Sequence, residues 1–181
     1  MKNPRFLRSF AVLVAIASFL CGLASPACAA DKADLSVALK TLPLLTNKIT
    51  GSAVLAVVYD PANAQSKADA DALKTALDAG IEAPGGIKIT GLMVPLSDVG
   101  TKLSQAKLAF ITTGSCTDAV SAAAGSSSVL TITTDLECVK TNKSVLGVVS
   151  SPSVEIYYSK TAADLAKIGF AQAFTMLAKQ F

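Results

Sequence analysis

A chain of 181 residues has the length of a single domain. Its 51% hydrophobic and 16% charged residues exclude a disordered segment, which is poor in apolar side chains and rich in charge. The formal net charge is +3, but Lys2, Arg5 and Arg8 all lie near the start, and the rest of the chain carries 13 basic and 13 acidic residues. That neutral balance, with 6% aromatics, argues against nucleic-acid binding, which needs a basic stripe and stacking platforms.

The first thirty residues read as a targeting segment. A basic start is followed by an uncharged, mostly apolar run over residues 10–23, then Pro26 and Ala27-Cys28-Ala29. Charge, apolar run and small-x-small in that order make a secretory signal peptide. It covers residues 1–29, with cleavage after Ala29 or Ala30, and leaves residues 30–181 as one periplasmic domain. The apolar run is short for a bilayer-spanning helix, although an N-terminal anchor is the other reading.

Beyond residue 29 there is no His, no Arg and no Trp. Without His there is no Ser-His-Asp triad, no Cys-His pair and no ordinary transition-metal site. Without Arg there is no bidentate clamp for phosphate or carboxylate. The expectation is a non-enzymatic domain without cofactor or metal.

The remaining elements alternate. Leu35, Ala38, Leu39, Leu42 and Leu45 predict a helix over 34–48, with a kink or break at Pro43. The apolar run at 52–59 predicts a strand buried on both faces. A helix over 67–79 ends at Gly80. After the Pro84-Gly85-Gly86 turn, a strand over 87–96 leads to a short helix over 97–104, with Ser97 as its N-cap. A strand over 107–113, a helix over 117–124 and a strand over 129–134 follow, then one helical turn over 135–139. Residues 145–149 and 154–159 predict a hairpin, and 161–179 a last amphipathic helix. The fold class is α/β: three layers, a mostly parallel sheet with helices on both faces, and a C-terminal antiparallel edge hairpin.

The second half carries a recognisable cadence. Leu108-Ala109-Phe110-Ile111 leads to Val129-Leu130-Thr131-Ile132 and Asp135. Then come Val154-Glu155-Ile156-Tyr157, Ile168-Gly169-Phe170 and Met176-Leu177-Ala178-Lys179. This resembles the YfiR family of small periplasmic proteins. The resemblance implies a domain that works by contact, on a membrane-associated signalling partner such as a diguanylate cyclase. The Trp-Pro that members commonly carry after the first helix has no counterpart near residues 46–50.

Three groups of residues are candidates for function. Cys116 and Cys138 form an even pair, each after a predicted strand on the same side of the sheet, which suggests a disulfide; two separate buried thiols are the alternative. Tyr59, Asp60 and Asn63, with Thr112, Thr113, Gly114 and Ser115 and with Thr133, Thr134 and Asp135, sit at the carboxyl ends of three predicted strands. In open α/β sheets ligands bind there, so they could line a small-molecule crevice of the kind found in one lobe of a periplasmic binding protein. Loop capping explains the same residue types. Val154, Glu155, Tyr157 and Tyr158 offer a strand edge with an aromatic anchor for a protein partner, or ordinary strand packing.

Overall fold

The computed structural model describes Ala30 and residues 32–181; the expected signal peptide, residues 1–29, lies outside them. In chain order the elements are α1 (Lys32–Leu39), β1 (Ser52–Tyr59), α2 (Ala64–Asp78), β2 (Ile81–Ala83), β3 (Ile87–Pro95), α3 (Val99–Lys102) and β4 (Leu108–Ile111). They continue with α4 (Asp118–Ser127), β5 (Leu130–Thr133), α5 (Leu136–Lys140), β6 (Leu146–Val149), β7 (Glu155–Tyr158), α6 (Lys160–Leu165), α7 (Gln172–Leu177) and β8 (Lys179–Gln180).

All eight strands form one sheet in the order β2-β3-β1-β4-β5-β6-β7-β8. The five central strands are parallel. At one margin β2 pairs antiparallel with β3, and at the other β7 pairs antiparallel with β6. The strand order reverses between β1 and β4, the arrangement that opens a crevice at strand ends in doubly wound folds.

Apolar runs become central strands because both faces are covered. Along β1, Ala53, Leu55 and Val57 pack into one layer with Leu35, Leu39, Leu73 and Phe174 from α1, α2 and α7. Ala56 and Val58 pack into the other with Val99 and Val120 from α3 and α4, and with Cys138 from α5. The three-layer α/β arrangement is therefore as the sequence predicts.

The helices differ more. The first ends at Leu39, and Pro43 sits in a separate 3₁₀ turn, Leu42–Leu44. Proline lacks the N–H, and its ring would collide with the preceding helical turn. The helix expected over 161–179 is two helices and a strand. Lys167 takes a left-handed conformation, φ 56°. The next residues run extended, so that Phe170 bridges Leu45 and the Gly169 carbonyl accepts from the Thr46 N–H at 2.9 Å. A continuous helix would forfeit that bridge. It would also displace Phe170 and Phe174, which stack at 4.1 Å and meet the Tyr158 ring edge-on.

Two smaller differences stand out. Residues 81–83 form β2, unforeseen because three residues carry no periodicity. Ser97 caps nothing: its hydroxyl donates to Asp98 Oδ1, in a segment of 3₁₀ turns around α3.

Candidate functional site

At the carboxyl ends of β1 and β4 the expected residues do converge, and they are bonded to one another. The Asn63 side chain caps α2, accepting from the N–H groups of Gln65 at 3.0 Å and Ser66 at 3.2 Å. Asp60 Oδ1 accepts from the Ala62 N–H at 2.9 Å. Beneath them lies a fully buried hydroxyl cluster. Ser66 Oγ is 2.7 Å from Thr112 Oγ1 and 2.8 Å from Ser115 Oγ, and it accepts from the Asp60 N–H. Thr112 donates to the Val58 carbonyl at 3.0 Å. Thr112 Oγ1 also lies 3.1 Å from Ser115 Oγ, so with its own proton on the Val58 carbonyl Thr112 acts as an acceptor within this triad.

The buried Asp69 carboxylate accepts from the Thr113 N–H at 3.1 Å and from Gln65 Nε2 at 2.8 Å. Gly114, at φ 77°, passes so close to Asn63 that a Cβ there would lie 2.6 Å from Nδ2. Much of the polar chemistry at this strand end is therefore engaged within the chain itself. Ser66 and Asp69 escape a reading of the sequence because pattern assigns polar helix positions to solvent.

Cutting this cluster should be measurable. Ser66→Ala takes a hydrogen-bond partner from Thr112 and from Ser115 and an acceptor from the Asp60 N–H, so it should destabilise the domain by about 1–3 kcal/mol. The urea midpoint should fall at unchanged m-value. A loss within the roughly 0.5 kcal/mol of an ordinary surface substitution would contradict the assigned bonding.

Thr133, Thr134 and Asp135 lie one strand further along. Thr133 Oγ1 accepts from the Asp135 N–H at 3.0 Å, and Asp135 caps α5 by accepting from the Glu137 N–H at 3.1 Å. Thr134 Oγ1 is buried with no hydrogen-bond partner among the described residues. Cys116 and Cys138 are joined in a disulfide with Cα atoms 5.9 Å apart, tying the loop after β4 to α5. A disulfide fits an oxidising compartment.

On the opposite margin Tyr158 is buried, its hydroxyl donating to Gln180 Oε1 at 2.6 Å. Tyr157 is half-buried and stacks on Phe181 at 5.0 Å. Because β8 lies outside β7, the hairpin is not the outermost strand. Glu155 accepts from Lys179 at 2.8 Å and from the Tyr157 hydroxyl; these bonds, the lysine's foremost, hold its carboxyl below the ordinary glutamate range. Of the four residues expected to form a partner surface, Val154 is the exposed one.

A cavity of about 380 Å³ opens at the other end of the sheet, at the amino ends of β1, β4 and β5. Ser52, Lys107, Ser128 and Leu130 come from the strand starts, Leu45 and residues 47–50 from the loop before β1, and residues 167–169 from the turn after α6. The bridge between Leu45 and Phe170 holds the last two segments together. Nothing in the sequence marks this site, because its residues are far apart in the chain and meet only through strand order. Among the described residues no three His, Cys, Asp or Glu side chains group as metal ligands, and no helix is long and apolar enough to cross a membrane.

No family model and no curated protein matches the chain by sequence. Solved structures do share its fold. The ABC domain from Streptococcus pneumonia in complex with L-Trp superposes with a TM-score of 0.56 at 15% identity, over 83% of this chain. A conserved domain protein from Vibrio cholerae superposes with a TM-score of 0.51 at 14% identity, also over 83% of this chain. This chain spans 60% of the length of each.

Proposed function

We propose that residues 30–181 form an exported, non-enzymatic domain that binds a small ligand at the amino-end cavity. The cavity carries this reading. Its volume of about 380 Å³ falls in the range of small-molecule sites, and its wall mixes apolar side chains with a few convergent polar groups. Support comes from the shared fold, since one neighbour holds L-Trp, a small amphipathic molecule. At the carboxyl ends Asp60, Asn63, Thr112, Ser115, Thr133 and Asp135 serve this domain as caps and internal bonds. The disulfide supports passage to an oxidising compartment such as the periplasm.

The contact-dependent regulatory role implied by the YfiR-like cadence is the competing reading, and one experiment separates the two. Native mass spectrometry of protein isolated from the cell envelope should show one small-molecule adduct per chain. The melting temperature of the stripped protein should rise with one member of an amino-acid and organic-acid panel, L-Trp included. Retention of a membrane protein instead, with no small adduct and no thermal response, would favour the regulatory reading and overturn this one.

A further inference from the structure

We infer that the cavity at the amino ends of β1, β4 and β5 selects a small organic anion with an apolar body, and that Lys48, Lys107 and Lys167 hold its charge. The inference rests on the ligand-binding reading and narrows it to a chemical class.

Residues 30–181 contain thirteen lysines and thirteen acidic residues. Seven lysines are spent in ion pairs, mostly with neighbours on their own helix. Of the six without such a pair among the described residues, Lys48, Lys107 and Lys167 line this one cavity. Among the described residues no Asp or Glu lines it. In a domain of zero net charge, that is a local concentration of uncompensated positive charge. A concave wall strengthens its field toward an anion.

The chain has no arginine beyond residue 29, so lysine is its only strong cationic donor for an anion. Lysine ammonium groups are compact charges on rotatable stems and accept either a carboxylate or a phosphate. The neutral wall determines the rest of the ligand. Leu45, Ile49, Leu130 and Ile168 offer apolar surface, while Thr50 and Ser128 add hydroxyls.

Lys167 is brought to the cavity wall by the turn that closes α6. It takes φ 56°, a left-handed conformation in which glycine or asparagine is the ordinary choice at a helix end. The turn is fixed by the Ile168 N–H donating to the Ala163 carbonyl at 2.8 Å.

The test is isothermal titration of the folded, oxidised domain with three acids and their uncharged amides: 4-phenylbutyrate, octanoate and indole-3-acetate. Phenyl phosphate forms a further arm. At least one acid should bind roughly tenfold or more tightly than its amide, as expected for a charge-assisted contact. Its affinity should fall as sodium chloride is raised. Lys107→Gln and Lys167→Gln should each weaken it by roughly tenfold, and Lys107→Glu should abolish it. Lys74→Gln, on the exposed face of α2, should change nothing. All these lysines are exposed, so folding is not at stake.

Tighter binding of phenyl phosphate would make the anion a phosphate, and tighter binding of an acid would make it a carboxylate; either result supports the inference. Equal affinity for acid and amide, or indifference to the lysine substitutions, would overturn it while leaving the ligand-binding reading in place. Binding of none of the charged probes would also overturn it, and the native mass measurement then decides the wider reading separately.

Discussion

Replacing Cys116 and Cys138 together by alanine should lower the unfolding free energy by about 3 kcal/mol, the loop-closure value for a ring of this size. The bridge closes a loop of 22 residues that contains α4 and β5. Its Cα separation of 5.9 Å lies within the usual span, so the bond forms without moving the backbone. Without the bridge the unfolded chain gains freedom that the native chain does not. For a domain of about 150 residues the melting temperature should drop by roughly 6–12 °C. Reduction of the wild-type protein should reproduce most of that shift. Intact-mass analysis after alkylation confirms which form is melted. Equal melting of oxidised protein and double variant would show that this loop stays restricted in the unfolded chain even without the bridge.

A loss of similar or larger size is expected from Phe110→Ala. Phe110 lies in the middle of β4, in register with Val57 on one side and Ile132 on the other, and is fully buried. Removing a ring from such a site forfeits its transfer energy and leaves a cavity, at a cost of about 3–5 kcal/mol. Phe110→Leu, which keeps most of the apolar volume, should cost clearly less. Urea unfolding of both variants measures the difference, with unchanged m-values showing that the native state stays compact. A Phe110→Ala loss under about 1 kcal/mol would mean that the surrounding layer collapses into the space.

Some of this molecule can be read without coordinates, and the reason is physical. Central strands are covered on both faces, so 52–59, 107–113 and 129–134 appear as apolar runs, close to the observed β1, β4 and β5. The cysteines could be matched because each follows a strand on the same side, and those strands turn out to be neighbours. Asn63 and Asp135 carry capping chemistry in their side chains. The split of the final helix was not legible. It depends on a bridge from Phe170 to Leu45, more than a hundred residues away in sequence. The cavity was hidden for the same reason: Lys48, Lys107 and Lys167 show no periodicity and become neighbours only through the order of strands. The hydroxyl cluster around Ser66 was masked by the assumption that polar helix positions face solvent.

The reversal of strand order at β1 also dictates a sequence of assembly. The segment from β1 through β3 can pair within itself as it emerges, since β1 meets β3 across a single helix and hairpin. Its other edge must wait for β4: the Val58 carbonyl receives its side-chain bond from Thr112, 54 positions later. During that interval Leu55, Ala56, Val57 and Val58 present open backbone groups on a wholly apolar strand, the kind of edge that recruits other chains. A chain cut before Leu108 would keep that adhesive edge permanently. The C-terminal half thus supplies the cover for an edge that the N-terminal half cannot close by itself.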